Sequence, residues 1–416
     1  MSELIDNRAF RIRTLKHIIK ELHAGTAPEQ VKGRLAELIR ETDASEIAAM
    51  EQELMAEGMQ VEEIKSMCDL HSQVLRDFIA ERQERGAAPG HPVDTFRREN
   101  EAIRVVTSRM KAIIEEIDAL PDDAQPDGVL DRLRGDFNEL MDVDKHYLRK
   151  ENVLFPYLEK HGITGPSKVM WAKDDEVREM LKALGEALQA GSASAAEWKM
   201  VAETLAVPAL RAVEEMIFKE ERILLPISLD ALTEDEWGEV WRNSPQFGWC
   251  LVEPLEGYAP PDSVVPERTV ELPRERAVQF PTGALTFEQL MGIFSVLPAD
   301  LTFVDADDRV RYFSEGRERI FSRSRAVIGR KVQHCHPPRS IGAVQQIISD
   351  FRSGKQSVAD FWINFRGRFV MIRYLAVRGQ KGEYLGTLEV TQDLTRLRTL
   401  EGERRLLEYD AAEAQL

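Results

Sequence analysis

At 416 residues, with 43% apolar and 31% charged residues, the chain is long enough for roughly two to four domains, each burying its own core. A formal charge of −17 speaks against nucleic acid or an anionic membrane as the main partner. The opening MSELIDNRAF has no apolar signal-peptide core, no apolar run reaches the length of a membrane span, and Cys68, Cys250 and Cys335 form no CxxC, so a cytoplasmic protein without a disulfide framework or zinc ribbon is expected.

Residues 1–85 read as helical throughout. Leu15, Ile18, Ile19 and Leu22 make an amphipathic stripe that ends at His23-Ala24-Gly25, and Pro28, Asp43 and Met59 mark further helix starts. Cys68 and His71 lie one helical turn apart, which suits a buried thiol better than a metal site, since two ligands do not make one. Gly86-Ala87-Ala88-Pro89-Gly90 then breaks the pattern.

Between residues 91 and 242 four apolar stripes predict four helices. They run Phe96, Asn100, Ile103, Thr107, Met110, Ile114, Ile117; then Phe137, Leu140, Asp144, Tyr147, Glu151, Leu154, Leu158; then Met170, Asp174, Val177, Leu181, Leu184, Leu188; and last Leu210, Val213, Ile217, Glu220, Leu224. Each carries polar residues on its buried face. A carboxylate there is costly unless it is paired, protonated or bound to a metal. In an up-down-up-down bundle, Asn100 and Asp174 (early in their helices) and Glu151 and Glu220/Glu221 (late in theirs) fall at one level, where bundles build cofactor and metal sites. Asp144 is a further polar member of the second stripe. The bland alternatives are salt bridges from Glu151 and Glu221 to Lys150, Lys219 or Arg178, and a register-fixing hydrogen bond between Asn100 and Asp174. His146 lies about 140° around the helix from Glu151, so a rim position competes with a ligand role. Lys150-Glu151 to Pro156 matches Glu220-Glu221 to Pro226 in spacing, an apparent repeat in which each proline removes a helical hydrogen bond and bends its helix.

Residues 243–284 are Pro-rich and predict an extended linker. From 285 onward short strands are expected at 301–304, 309–314, 358–365, 368–378 and 383–391, with helical stretches at 315–350 and an amphipathic helix from Leu394. That is an α+β layout. His334-Cys335-His336 is the densest cluster of soft ligands and a candidate cofactor site. There is no phosphate-binding loop, nucleophile elbow, HExxH or kinase signature, so no enzyme activity is read.

Three stretches resemble known families. Residues 13–80, with Ile47-Ala48-Ala49-Met50 and Cys68-Asp69-Leu70-His71, resemble bacterial domain of unknown function 438, which commonly precedes haemerythrin-like domains. Residues 91–230 resemble the haemerythrin-like (HHE cation-binding) family through His146, Glu151, Leu154-Phe155-Pro156 and Glu220-Glu221 to Leu224-Leu225-Pro226. Residues 285–400 look like a PAS domain, by the Asp305 turn, Ile328-Gly329-Arg330, His336-Pro337 and Thr391-Gln392-Asp393-Leu394-Thr395. The fold expected is therefore mainly α, with an up-down four-helix bundle, plus a C-terminal α+β PAS domain. The domains expected are 1–85, 91–242, a linker 243–284 and 285–416.

The haemerythrin resemblance implies a non-haem iron pair or another transition metal. It points to His91, His146, Glu151, Asp174 and Glu221 as the metal set. Yet Asn100, Asp174 and Met216 stand where that family's helical histidines belong, and Lys150 where a bridging carboxylate belongs. Those departures support the fold rather than an oxygen site. The PAS resemblance implies haem or another small ligand, and a homodimer or protein partner through the PAS domain or the final helix. Together these imply a sensory or regulatory protein. The alternatives are an iron protein of iron–sulfur repair or nitrosative stress, and a metal-free scaffold whose polar layer is salt-bridged.

Overall fold

The computed structural model describes residues 2–23, scattered positions between 31 and 59, and residues 86–190, 194–261, 278–316 and 319–403. The chain divides into two compact units: Met1–Val270 with Ser322–Gly342, and Glu271–Phe321 with Ala343–Leu416. No helix among the described residues is long and apolar enough to cross a membrane.

In the first unit, helix α1 spans Ser2–His23 and buries Leu15 and Ile18 of the expected stripe. Cys68 and His71 lie outside the described residues. The bundle begins with α2 (Pro92–Asp118), whose start is set by Pro92 in the first turn and by His91, whose Nδ1 accepts from the Val93 N–H. The second rod contains α3 (Asp127–Leu140), α4 (Val143–Arg149), a π-helical turn at Lys150–Leu154 and α5 (Phe155–Lys160). The third is α6 (Gly165–Gln189). The fourth contains α7 (Ala195–Val201), a π-turn at Ala202–Ala206, α8 (Val207–Lys219), a π-turn at Glu220–Leu224 and α9 (Leu225–Ala231). A capping box of Thr233 and Glu236 opens α10 (Glu234–Asn243). All four predicted stripes point inward; Asp144 is their one half-exposed member.

The three π-turns share one cause. Pro156, Pro208 and Pro226 each lie six residues after the first residue of a π-turn, and the widened turn makes room for a ring that would otherwise clash with the preceding turn. The anticipated proline bends are thus π-bulges, and Ala202 to Pro208 is a third copy of the repeat.

The described part of the expected linker packs on the bundle. Ser244–Phe247 forms a 3-10 turn, and Phe247 and Cys250 are buried. Trp249 lies over the Arg149 guanidinium, and Tyr258 packs against His91. Its aromatic residues, counted as linker by their proline neighbours, supply enough apolar surface to hold the segment on the bundle.

The second unit contains an antiparallel hairpin of β1 (Val278–Phe280) and β2 (Gly283–Leu285), helix α11 (Phe287–Val296), and a five-stranded antiparallel sheet of order β4-β3-β7-β6-β5. Its strands are β3 (Asp300–Asp305), β4 (Val310–Phe313), β5 (Val358–Phe365), β6 (Arg368–Arg378) and β7 (Tyr384–Asp393). Asp305 builds the β3–β4 turn by accepting from the Asp307 and Arg309 N–H groups, which lets Asp308 take a φ of 62°. Only part of 315–350 is α-helical. Arg325–Val327 and Val332–Cys335 are 3-10 turns, and α12 covers Pro338–Ser353. Of the helix expected from Leu394, the described residues show a 3-10 turn at Leu397–Thr399; the rest, from 404, lies outside them.

Candidate functional site

The polar residues of the bundle do converge, and side-chain cations meet them. The Lys150 ammonium, with no exposed surface, donates to Asp174 Oδ1 at 2.8 Å and to Glu220 Oε1, and sits 4.4 Å from the Tyr147 ring centroid. His146 bridges two carboxylates, with Nδ1 2.7 Å from Glu99 and Nε2 2.9 Å from Glu220. Arg149 holds both Glu99 oxygens and stacks between Phe96 and Trp249. Arg178 holds both Glu151 oxygens, at 2.8 and 3.1 Å, and reaches Asp144 at 2.8 Å. Glu99 also accepts from the Cys250 N–H.

Burial pulls all these groups towards neutrality, and their partners decide the outcome. Burial favours neutral Lys150, but Asp174 and Glu220 outweigh it and raise its pKa. His146 is likewise raised by Glu220 and Glu99 against desolvation. Glu220 is held down at about 2 by Lys150 and His146 although burial opposes it. Asp174 goes the other way: desolvation, with the Glu151 charge beside it, raises it well above the usual carboxylate range. Glu151 is raised as well, chiefly by burial.

The expected residues fall into different places. His146, Glu151, Asp174 and Glu220 belong to the layer. His146 is not at a rim: it is fully buried, held between Glu99 and Glu220. His91 is elsewhere, capping α2 between Trp237 and Tyr258, and burial lowers its pKa to about 4. Glu221 turns to the half-exposed Arg104 rather than to the layer. Asn100 does not pair with Asp174; its buried amide has no hydrogen-bond partner among the described residues. Met216 is buried core and lines a groove of about 150 Å³ between α6 and α8, beside Val177 and Met180. His334, Cys335 and His336 do not gather around a common point: His334 Nδ1 lies 3.5 Å from Glu159, and Cys335 Sγ donates to the Lys331 carbonyl.

Glu99 and Arg149 were missed as buried residues. The signal for Glu99 was available: Phe96, Glu99, Ile103, Val106, Met110, Ile113 and Ile117 form a second stripe beside the first, and all are buried. Arg149 had none, because an arginine outside a stripe reads as solvated; Arg178 was named as a salt-bridge partner of the buried acids, and it holds Glu151.

Residues 91–228 match the hemerythrin HHE cation binding domain, residues 290–395 a PAS domain, and residues 15–81 a family of unknown function (DUF438). The chain combines a haemerythrin HHE module with a PAS domain. Among solved structures, the C-terminal domain of a Streptococcus mutans protein is 32% identical, with 31% of this chain and 99% of that one covered, at a TM-score of 0.30. The PAS domain of a Colwellia psychrerythraea protein is 15% identical, covering 26% and 97%, at 0.22. A sensory box sensor histidine kinase from Vibrio cholerae is 14% identical, covering 26% and 89%, at 0.21. No curated protein matches. The haemerythrin and PAS domains together support a sensory, ligand-binding protein.

The haemerythrin family implies a bound cation, and the residues present do not fit an iron pair. The Lys150 ammonium already lies between the carboxylates of Asp174 and Glu220. Both nitrogens of His146 are spent on Glu99 and Glu220, and both oxygens of Glu151 on Arg178. Among the described residues no group of three His, Cys, Asp or Glu is placed to hold a metal ion. The expected set of His91, His146, Glu151, Asp174 and Glu221 is corrected accordingly: the acids in it find side-chain cations, Glu151 in Arg178, Asp174 in Lys150 and Glu221 in Arg104.

Proposed function

We propose that this chain is a sensory protein in which the PAS domain receives a small ligand and the haemerythrin-like bundle is a metal-independent responding element. The observation that supports the reading is the buried ammonium of Lys150 between Asp174 and Glu220, a cation carried on the chain itself. Such a layer gives the four rods one register, because any slip leaves buried charges unpaired. The signal leaves as changed association with a partner or a second copy, through residues of the PAS domain or the chain beyond it.

The test is elemental analysis and a visible spectrum of freshly purified full-length protein, followed by thermal unfolding with added iron, manganese or zinc. The expected result is no stoichiometric metal and a midpoint unmoved by any of the three. Stoichiometric iron with a ferric oxo absorption band would overturn the reading and favour an iron protein instead.

A further inference from the structure

The π-turn at Lys150–Leu154 leaves a backbone acceptor stranded. In an α-helix the Glu151 carbonyl accepts from the Phe155 N–H, but here that N–H donates to Lys150 O. The next residue is Pro156, which has no N–H. The Glu151 carbonyl is thus excluded from the helical ladder on both counts, and a buried acceptor needs another donor.

A segment distant in sequence supplies one. Ser322–Gly342 belongs to the same compact unit as the bundle, although it falls inside the stretch matched as PAS domain. Ser324 caps its first 3-10 turn, and Ala326 and Val327 are buried, with Ala326 part of the bundle's apolar core. The Arg330 side chain, 3% exposed, makes two parallel hydrogen bonds to Glu159, at 2.6 and 2.8 Å. Its remaining nitrogen lies 3.5 Å from the Glu151 carbonyl, the outer limit for a hydrogen bond, and its guanidinium lies over Trp171 at 5.7 Å. Burial favours a neutral Glu159 carboxyl, but His334 and Arg330 hold it at about 2.

We propose that Arg330 is a latch: through it the segment Ser322–Gly342 clamps the π-turn that carries Lys150 and Glu151, joining the PAS-matched part of the chain to the ionic layer. The guanidinium suits this role because its planar fork satisfies a carboxylate bidentately and still presents a third donor. The turn it holds is the one whose Glu151 carboxylate is tied to Arg178. A displacement of the segment therefore removes the substitute donor of Glu151 and loosens the layer at that residue. Arg330 acts as a positioning residue. The direction of signalling rests on the sensory reading above; the clamp itself does not.

The experiment is hydrogen exchange on the full chain, comparing wild type with Arg330→Ala and the milder Glu159→Gln. Loss of a buried charge-assisted pair predicts about ten-fold or faster exchange across 151–160 and 324–335 in Arg330→Ala, with 103–117 unchanged. Arg330→Lys restores little, since an ammonium cannot serve both Glu159 oxygens and the carbonyl. Arg339→Ala, which removes an exposed pair with Glu179 from the same segment, leaves exchange in 151–160 as in wild type. If Arg330→Ala does not fold, Glu159→Gln carries the test with the same regional pattern at smaller amplitude. Exchange in 151–160 within two-fold of wild type in both variants, or an equal rise everywhere, overturns the latch. Metal content, read separately, decides the sensory reading, so the two can fail independently.

Discussion

Replacing Lys150 by methionine keeps most of the apolar stem of the side chain and deletes its ammonium group, so the change in stability reports chiefly the ion pairs. Glu220 then loses one of the two partners that hold its carboxyl at about 2 instead of the usual 4.5. That depression is worth about 3 kcal/mol and is shared between Lys150 and His146, but the substitution also strips Asp174 of its cation, so about 3 kcal/mol is the scale of the whole loss. Losing one partner of a buried pair typically costs about 3 to 5 kcal/mol, a range that contains this figure. The sign follows from the lowered pKa: the Glu220 contribution is fully present above pH 4.5 and is lost as the pH falls from 4.5 through about 2. Lys150→Met should therefore lose about 3 kcal/mol at pH 7, measured by urea unfolding with tryptophan fluorescence, and a smaller amount at pH 3. The double variant Lys150→Met with Glu220→Gln should lose less than the sum of the two single changes, by about 1 to 3 kcal/mol. A loss below about 1 kcal/mol at pH 7, or strict additivity, would refute the claim that Lys150 is the charge partner of the layer.

Three further expectations test other parts of the chain. His91, held near 4 by burial, is neutral when folded, so its contribution is full above pH 6.5 and is lost as the pH falls towards 4, about 3 kcal/mol in all. In His91→Asn, which can still accept from the Val93 N–H, that part of the acid dependence should vanish from a denaturation series at stepped pH. Gly90 has a φ of +79° and its missing Cβ would lie 2.1 Å from the Leu255 carbonyl oxygen, so Gly90→Ala should lower the thermal midpoint through a loss of about 2 kcal/mol or more. In the sheet unit, Gly386 sits opposite Asp305 with the Val304 oxygen 2.1 Å from a Cβ position, and Gly386→Ala should lower protection of β3 and β7 amides in hydrogen exchange.

Much of the architecture was legible because burial repeats. The four stripes of the bundle lie where their period puts them, since a period of 3.6 is a direct imprint of which face is dry, and the strands Val358–Phe365 and Arg368–Arg378 fall at the expected residues although neither alternates in burial. The chemistry of the layer was half legible. Glu151, Asp174 and Glu220 stood out as acids on apolar faces, and Lys150 and Arg178 entered as the salt-bridge alternative, but Lys150 as the partner of Asp174 and Glu220 did not. Lys150 stands next to Glu151, and only a π-turn lets both neighbours contact the same interior. A wheel of uniform 100° steps cannot contain that turn, and the same uniform wheel sent His146 to the rim. The proline at the sixth position was the visible trace of the irregularity, read as a bend because a ring that removes one hydrogen bond is compatible with either outcome. Residues 244–261 were misjudged for a different reason. Proline content signals a chain that does not form regular structure, yet Phe247, Trp249 and Tyr258 show that irregular chain can still be pinned by its aromatic rings.

The ionic layer also constrains where information can enter such a protein. A metal or gas bound in a bundle reports a concentration outside, because occupancy follows mass action and the bound state differs in free energy from the empty one. An ammonium on the fourth carbon of Lys150 has no concentration to report; its effective occupancy is set by the fold and changes only when the helix that carries it moves. A bundle closed by such a cation is therefore suited to respond to displacement rather than to ligand. The π-turn at Lys150–Leu154 is a point where displacement can act: its Glu151 carbonyl is outside the helical ladder and faces Arg330, a side chain delivered from 179 residues away. Under the proposed sensory reading, the variable input would lie with the PAS-matched residues, and the layer's contribution would be a single register that a pull on one segment can leave or regain. A wild-type protein whose bundle amides respond to an added divalent metal, with the Arg330–Glu159 pair intact, would place the input in the bundle after all.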